Sequence, residues 1–364
     1  MTKSLMQPNP GISVIMEDMP DVAQSIDKEV QQLSGKTVLI TGANGFLASY
    51  LADAIAYFNQ QHILNQPARL ILLVRSPVRP RSRLAHLLDD PNVKFIFQDV
   101  CAPILLSEPI HFIVHAASPA SPKWYLSEPV NTLKVNSVAL FQLLELARHS
   151  HAESILYLSS SEVYGSPEPE NIPTPETYIG RVGFTGGRAC YIEGKRFGEA
   201  LCAAYFEQYG VPVKIARPFH IHGPGLRIDD GRIVAELIAR GLQNKPFELL
   251  SDGSATRTYG YVSDATVGFL KILLGDYQGE SFNIGADVPE TSILELATTI
   301  ARLFGRSDQV KVNVSPGSDQ IKSGPSRACP DLTKIRRLLG YSPHVALESG
   351  LERTIQWHRL LQNS

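Results

Sequence analysis

The sequence predicts an α/β fold, doubly wound about a parallel sheet, with a smaller α/β unit toward the carboxyl terminus. Three observations predict it. Short apolar runs recur between residues 37 and 219: TVLIT, RLILLV, VKFIFQDV, FIVHAA, SILYLSS and VKIARPF. Helix-like stretches separate several of them, and strands alternating with helices form a parallel sheet buried on both faces. A glycine-bearing turn follows the first run. The chain has 364 residues, enough for two units with their own cores.

Residues 1–34 read as an extension. Pro8, Pro10 and Gly11 break structure early, and EDMPDVAQSIDKEVQQL predicts one short helix with Val22, Ile26, Val30 and Leu33 on one face. A surface or interface appendage is the expectation here. A Rossmann-like NAD(P)-binding domain is expected over 35–216, with a segment about 246–285 returning to it. A substrate-binding domain is expected over 217–245 and 286–364. The loops PEPENIPTPETYIGRVGFTGG, HGPGLRIDDGR and SPGSDQIKSGPSRACPD are long for a compact fold, and long loops tend to carry function.

The turn Gly42-Ala43-Asn44-Gly45-Phe46-Leu47-Ala48 follows the strand TVLIT and opens a helix. Gly42 suits the tight bend, and Gly45 lets backbone approach a diphosphate. The helix start offers N–H groups and partial positive charge. Ala48 stands where a third glycine is usual. The second strand ends in Val74-Arg75 rather than in an acid. A carboxylate there would bind the ribose 2′-hydroxyl of NAD, whereas Arg75 suits the 2′-phosphate of NADP. Arg79, Arg81 and Arg83 follow and read equally as a solvated cluster, so the choice stays open. Asp99 ends the third strand, where it can accept from an adenine amino group.

Two polar clusters follow. Ser159-Ser160-Ser161-Glu162-Val163-Tyr164-Gly165 lies at the carboxyl end of the strand SILYL, facing the expected ligand crevice. Tyr191 and Lys195 stand four residues apart on a helix and share a face. An ammonium near a phenol lowers its pKa from about 10, so a phenolate comes within reach and can take a hydroxyl proton.

TGANGFLAS, HAAS, SSSEVYG, YIEGK and RPF, in that order, resemble the extended short-chain dehydrogenase/reductases, the NAD-dependent epimerase/dehydratase family of nucleotide-sugar enzymes. HAASPASPKWY, GGRACYIEGKR, GSATRTYGYVSDA and SRACPD are most similar to the UDP-glucuronate decarboxylases (UDP-xylose synthases). The resemblance spans about Lys36 to Trp357. It implies that Tyr191 is the catalytic base and Lys195 its partner. Ser160 would hydrogen-bond the sugar O4, and Glu162, beside Ser161, would assist at the 4-keto stage. It implies a cofactor wall of Gly42, Asn44, Gly45, Phe46, Leu47, Arg75, Asp99, Val100, Ala116, Ala117 and Ser118. Substrate contacts would come from Ser118, Arg188, His220, Arg232, Arg257 and Arg327. Arg217 and Asp264 read as structural.

All such enzymes begin by oxidising C4. A C5 carboxylate then becomes a β-keto acid and loses CO2, whereas a 4,6-dehydratase must protonate a leaving hydroxyl. The family's dehydratases use an Asp before the Glu; Ser161 is a poor proton donor. This ranks decarboxylation before dehydration and epimerisation. The family's FNxxGPR is here Phe219-His220-Ile221-His222-Gly223-Pro224-Gly225, which points to a substrate differing in nucleotide or sugar. His220 is expected to titrate or hydrogen-bond beside the sugar. No metal is expected, since His220 and His222 lack further ligands. The apolar faces of Asn131–Ser150 and Tyr191–Tyr209 read as core, and the resemblance adds a homodimer built on them. Two rival readings are a non-catalytic dinucleotide-binding regulator and an NADP-dependent reductase of a small carbonyl.

The formal charge is -2, with 34 basic against 36 acidic residues, which argues against a nucleic-acid partner. Four scattered cysteines argue against a disulfide scaffold or zinc site. No run is long enough to span a bilayer, and the start lacks a signal-peptide pattern, so a cytoplasmic protein is expected.

Overall fold

Strand β1 (Thr37–Thr41) is five buried residues, and β-branched or aliphatic side chains on both faces make it a central strand. It leads through the glycine turn into helix α3 (Phe46–Gln60). β2 (Arg69–Val74), β3 (Val93–Phe97), β4 (Phe112–His115), β5 (Ser154–Leu158) and β6 (Val213–Pro218) match the six apolar runs. With the strand Ser281–Ile284 they form one seven-stranded sheet in the order 281–284, β6, β5, β4, β1, β2, β3, and every pairing is parallel. The order reverses between β1 and β4, so the crevice for a ligand opens above their carboxyl ends. This computed structural model describes residues 9–26, 29–79, 81–183, 185–313 and 325–362. Parts of two loops and the first eight residues named above lie outside them.

One face of the sheet carries α3 and α9 (Val262–Leu274). The other carries α5 (Pro129–Lys134), a π-helical turn Val135–Ala139, α6 (Leu140–His149) and α7 (Ala189–Tyr209). α4 (Pro122–Ser127) precedes α5 at the rim. A third core forms in the smaller unit, where α8 (Ile233–Leu242) and α10 (Ile293–Leu303) pack over the pair Phe247–Leu249 and Val310–Val312. The return to the large sheet therefore begins at α9, later than residue 246. α11 (Thr333–Leu339) and α12 (Leu347–Gln362) complete the chain.

The amino-terminal segment corrects the expectation of an appendage. Instead of one helix it folds as α1 (Ile12–Met16), α2 (Met19–Ser25) and a 3-10 turn Val30–Leu33, with Asp27 and Lys28 outside the described residues. Pro20 sits in the first turn of α2, where its missing N–H costs nothing. Val14, Ile15, Met19, Val22, Ile26 and Leu33 are completely buried and join the core above α3 and α9. Asp18 is buried too, accepting from the hydroxyls of Tyr50 and Tyr261, each at 2.9 Å, and pairing with Arg353. The helical spacing was legible; what the apolar face would meet was not, because α3 and α9 lie far away in sequence.

Candidate active site

The site is a cavity of about 670 Å³ above the carboxyl ends of β1, β4, β5 and β6. Asn44, Gly45, Phe46, Leu47, Ala116 and Ser118 form one wall, and Ser160, Ser161, Glu162, Arg188, Tyr191, Lys195, His220 and Arg232 line much of the rest. These residues come from the glycine turn, the end of β4, the serine cluster after β5, the start of α7 and the segment after β6.

The glycine turn fits a dinucleotide. Gly42 has φ +63°, and a Cβ on it would stand 2.6 Å from the Cα of Ala117, so only glycine admits this approach. Gly45 caps α3 in an extended conformation with no side chain taking the first N–H groups, which leaves the helix start facing the cavity. Beneath the turn, His115 Nε2 lies 3.2 Å from Val135 O and its Nδ1 2.8 Å from Thr41 Oγ1. A carbonyl only accepts, so Nε2 carries the proton and Nδ1 accepts from Thr41.

At the other end, α7 places Tyr191 and Lys195 on one face, both nearly inaccessible. Ser160, extended just past β5, lies beside the Tyr191 hydroxyl, where it favours the phenolate, and accepts from the Glu162 N–H. Tyr125 stacks on Tyr191, ring centroids 5.2 Å apart and 17° from parallel. The Lys195 ammonium donates to Leu158 O at 2.7 Å. Spacing points to an ammonium that lowers the Tyr191 pKa; the structure adds burial, which acts the other way. Burial dominates and pushes Tyr191 up to about 12, while burial pulls Lys195 down to about 7.

Glu162 pairs with Arg188, and Asp230 with Arg232, so two carboxylates and two guanidinium groups face the cavity as ion pairs. His220 lies among Arg257, Arg232 and Arg188. Burial first, and those charges second, hold it at about 3, so it stays neutral and does not titrate near pH 7. Its Nε2 is buried without a hydrogen-bond partner.

Other expected residues stand outside the lining. Val100 belongs to the core beneath the sheet. Asp99 is exposed and accepts from Cys101 N at 2.8 Å. Arg75 is exposed just past β2. Arg83 is no solvated member of its cluster. It is buried, 2.6 Å from Asp53, with its guanidinium over the Tyr50 ring. Gly225 makes room for it, since a Cβ there would meet Arg83 Nε at 2.8 Å. Arg257 donates to Thr256 O and Pro325 O, next to the lining. Arg327 is bound by Glu290 at 2.7 and 2.9 Å, and the structure does not bring it to the cavity. Arg217 and Asp264 are structural, as expected: Arg217 is bonded to Glu199 and Tyr164, and Asp264 accepts from the N–H groups of His344 and Val345. Among the described residues no group of His, Cys, Asp or Glu could hold a metal ion.

Sequence reasoning missed Trp124, Tyr125, Arg227 and Asp230 as lining residues. Both segments had been noticed, HAASPASPKWY and HGPGLRIDDGR, but not that they meet. Ser121 donates to Asp230 O, Lys123 pairs with Asp229 at 2.8 Å, and Arg227 lies over the Trp124 ring at 5.7 Å.

Comparison with known proteins agrees with this geometry. The NAD dependent epimerase/dehydratase family matches residues 38–285. UDP-glucuronic acid decarboxylase 1 of Xenopus tropicalis is 36% identical, covering 91% of this chain and 74% of that protein. UDP-glucuronic acid decarboxylase 5 of Arabidopsis thaliana is also 36% identical, over 87% of this chain and 88% of its own. Among solved structures, a UDP-glucuronic acid 4-epimerase from Bacillus cereus in complex with UDP-glucuronic acid and NAD superposes with a TM-score of 0.75. It is 25% identical and covers 90% of this chain and 100% of its own.

Proposed function

Because the chain belongs to the NAD dependent epimerase/dehydratase family, we propose that it modifies a nucleotide-diphosphate sugar through transient oxidation at C4, with decarboxylation of UDP-glucuronate as the reaction its site fits best. The observation that carries this is the constellation Ser160, Tyr191 and Lys195 beside an Arg188-paired Glu162, at the deep end of a cavity whose other wall fits a dinucleotide. The cofactor is NAD, in keeping with the family; when bound, its oxidised nicotinamide supplies a hydride acceptor and a positive charge. Asn44, Gly45, Phe46, Leu47, Ala116 and Ser118 would hold it, with Lys195 at the ribose.

The protein's own groups do the rest. Tyr191 takes the proton of the C4 hydroxyl while Ser160 holds O4. The new ketone takes up the electrons of the C5–carboxylate bond as CO2 leaves. Glu162 directs this step, and its ion pair with Arg188 orients it. The resulting enolate takes a proton at C5, and the hydride held by the cofactor would then return to C4 as Tyr191 gives its proton back to O4, which restores the oxidised cofactor and yields the pentose. Ser161 offers no acid for a leaving C6 hydroxyl, which supports decarboxylation over dehydration. Neutral His220 and the arginines around it form a polar end wall for the sugar and its diphosphate.

The chain works as a homodimer in this reading. Leu126, Val130, Leu133, Phe141 and Phe197 form an exposed apolar strip along α4 to α7, 42 to 66% accessible each. Such a strip on a soluble chain asks for a cover. The described residues contain no helix long and apolar enough to cross a membrane, and all four cysteines are free thiols. The latter supports a reducing, cytoplasmic setting.

NAD-loaded protein incubated separately with UDP-glucuronate, UDP-glucose and dTDP-glucose tests the proposal. CO2 and a UDP-pentose from the first are the expected result. A 6-deoxy-4-keto product from either hexose would replace decarboxylation by dehydration. Cofactor binding without turnover of any sugar nucleotide would leave a dinucleotide-binding regulator.

A further inference from the structure

Lys195 must carry charge in a place that disfavours it. It is 3% exposed, and its Nζ finds one hydrogen-bond acceptor in Leu158 O. Above that bond the ammonium meets an aromatic face: the Tyr157 ring centroid lies 4.9 Å from Nζ, closer than that of Tyr191 at 5.9 Å. Tyr157 is fully buried on β5 and packs alongside His115 on β4, ring centroids 5.8 Å apart. Its hydroxyl donates to Asn136 in the π-helical turn, at 3.2 Å. The ring fits because residue 198, in the middle of α7, is glycine. A Cβ there would stand 2.3 Å from the Tyr157 hydroxyl oxygen and 2.6 Å from Cζ. Glycine weakens a helix interior, so its presence in a 21-residue helix needs a packing reason, and this is one.

We propose that Tyr157 is a positioning residue for proton transfer: its ring face keeps Lys195 in the ammonium form that a Tyr191 phenolate requires, and Gly198 is the opening in α7 that admits the ring. The inference rests on the reading of Tyr191 as the proton acceptor. Tyr191 and Lys195 share a face of α7, with Nζ 5.9 Å from the Tyr191 ring centroid, so their protons are counted together. With one proton removed, the pair is either a phenolate with an ammonium or a phenol with a neutral amine, and only the first can take a proton from a sugar hydroxyl. A ring face and a carbonyl stabilise only the forms that contain the ammonium. The other groups facing Lys195 are Glu199 and Cys202 on α7 and His115 on β4. Glu199 is held by Arg217, and His115, at about 3, is neutral at working pH.

Two substitutions separate the ring from its hydroxyl. Tyr157→Phe keeps the face and loses the bond to Asn136; Tyr157→Leu loses the face. The Lys195 side chain is titrated by NMR in lysine-labelled, NAD-bound protein, with Lys195→Arg assigning the signal, and C4 oxidation is followed against pH. Tyr157→Phe should stay within about twofold of the wild-type plateau with an unchanged titration. Tyr157→Leu should lower the plateau about tenfold and move the Lys195 titration and the acid limb down by about one pH unit. Should Tyr157→Leu fold poorly, the double variant Tyr157→Leu/Gly198→Ala puts a methyl into the vacated space and should show the same displaced titration. An unshifted Lys195 titration in a folded leucine variant overturns the proposal. Wild-type protein that oxidises no sugar nucleotide, yet whose Lys195 titration depends on the ring, sinks the functional reading and leaves the ring's hold on the ammonium standing.

Discussion

Tyr191 and Glu162 divide the chemistry between them, and their substitutions should separate in time. Tyr191→Phe removes the proton acceptor but keeps the ring stacked on Tyr125, so C4 oxidation should fall about a thousandfold while NAD stays bound. Absorbance of reduced nicotinamide and a cofactor-binding titration check the two halves of that statement. Glu162→Gln acts later: it keeps hydrogen-bonding capacity toward Arg188 but loses the charge. Oxidation should proceed, reduced nicotinamide should accumulate, and release of CO2 should slow about a hundredfold. Ser160, Glu162, Tyr191 and Lys195 were legible in the sequence because their positions depend only on a strand end and one helical turn. Tyr125 and Asp230 were not, since a short rim helix, α4, and an irregular loop bring them together. The burial of Tyr191 was not legible for a related reason: spacing shows the nearby ammonium, but not the surroundings that push the phenol up.

The helices α4 to α7 serve two faces at once. Leu140, Leu143 and Leu144 sink into the core beneath the sheet, while Val130, Leu133, Phe141 and Phe197 face outward. The sequence pattern showed wide apolar faces without showing that they point in opposite directions, because the π-helical turn at Val135–Ala139 shifts the phase between α5 and α6. Phe141→Asp together with Phe197→Asp puts two charges on the outer strip and touches none of the cavity residues. Sedimentation should show a dimer for the native protein and a monomer for this variant. A native monomer would remove the proposed interface.

Across the whole molecule, buried histidines set the response to acid. His115, His220 and His222 are held at about 3 and His358 at about 4, in each case mainly by burial, against an ordinary 6.5. Their folded pKa values are depressed, so the unfolded chain binds more protons between about 3 and 6.5, and stability falls as pH drops through that window. Lys195 at about 7 and Lys214 at about 8 act in the same sense at higher pH, up to their ordinary 10.5. Melting temperature should therefore decline steadily from pH 7 to pH 4. His222 packs against Tyr261 and touches none of the cavity, so His222→Phe should flatten the decline, with about one proton fewer taken up on unfolding near pH 5. Proton uptake measured by calorimetry in two buffers would show otherwise if the histidine is already charged in the native state.

The seating of residues 9–26 has a consequence for how the polypeptide is made. Asp18 is completed by Arg353, and Gly11 lies so close to Trp357 that a Cβ on it would come within 2.4 Å of the indole. Residues 9–26 are made well before Arg353 and Trp357 and wait for them before their seat is finished, and until then Val14, Ile15 and Met19 keep a greasy surface on show. Closure of this seat requires α12, and a nascent chain stalled short of it would be a natural client for chaperones.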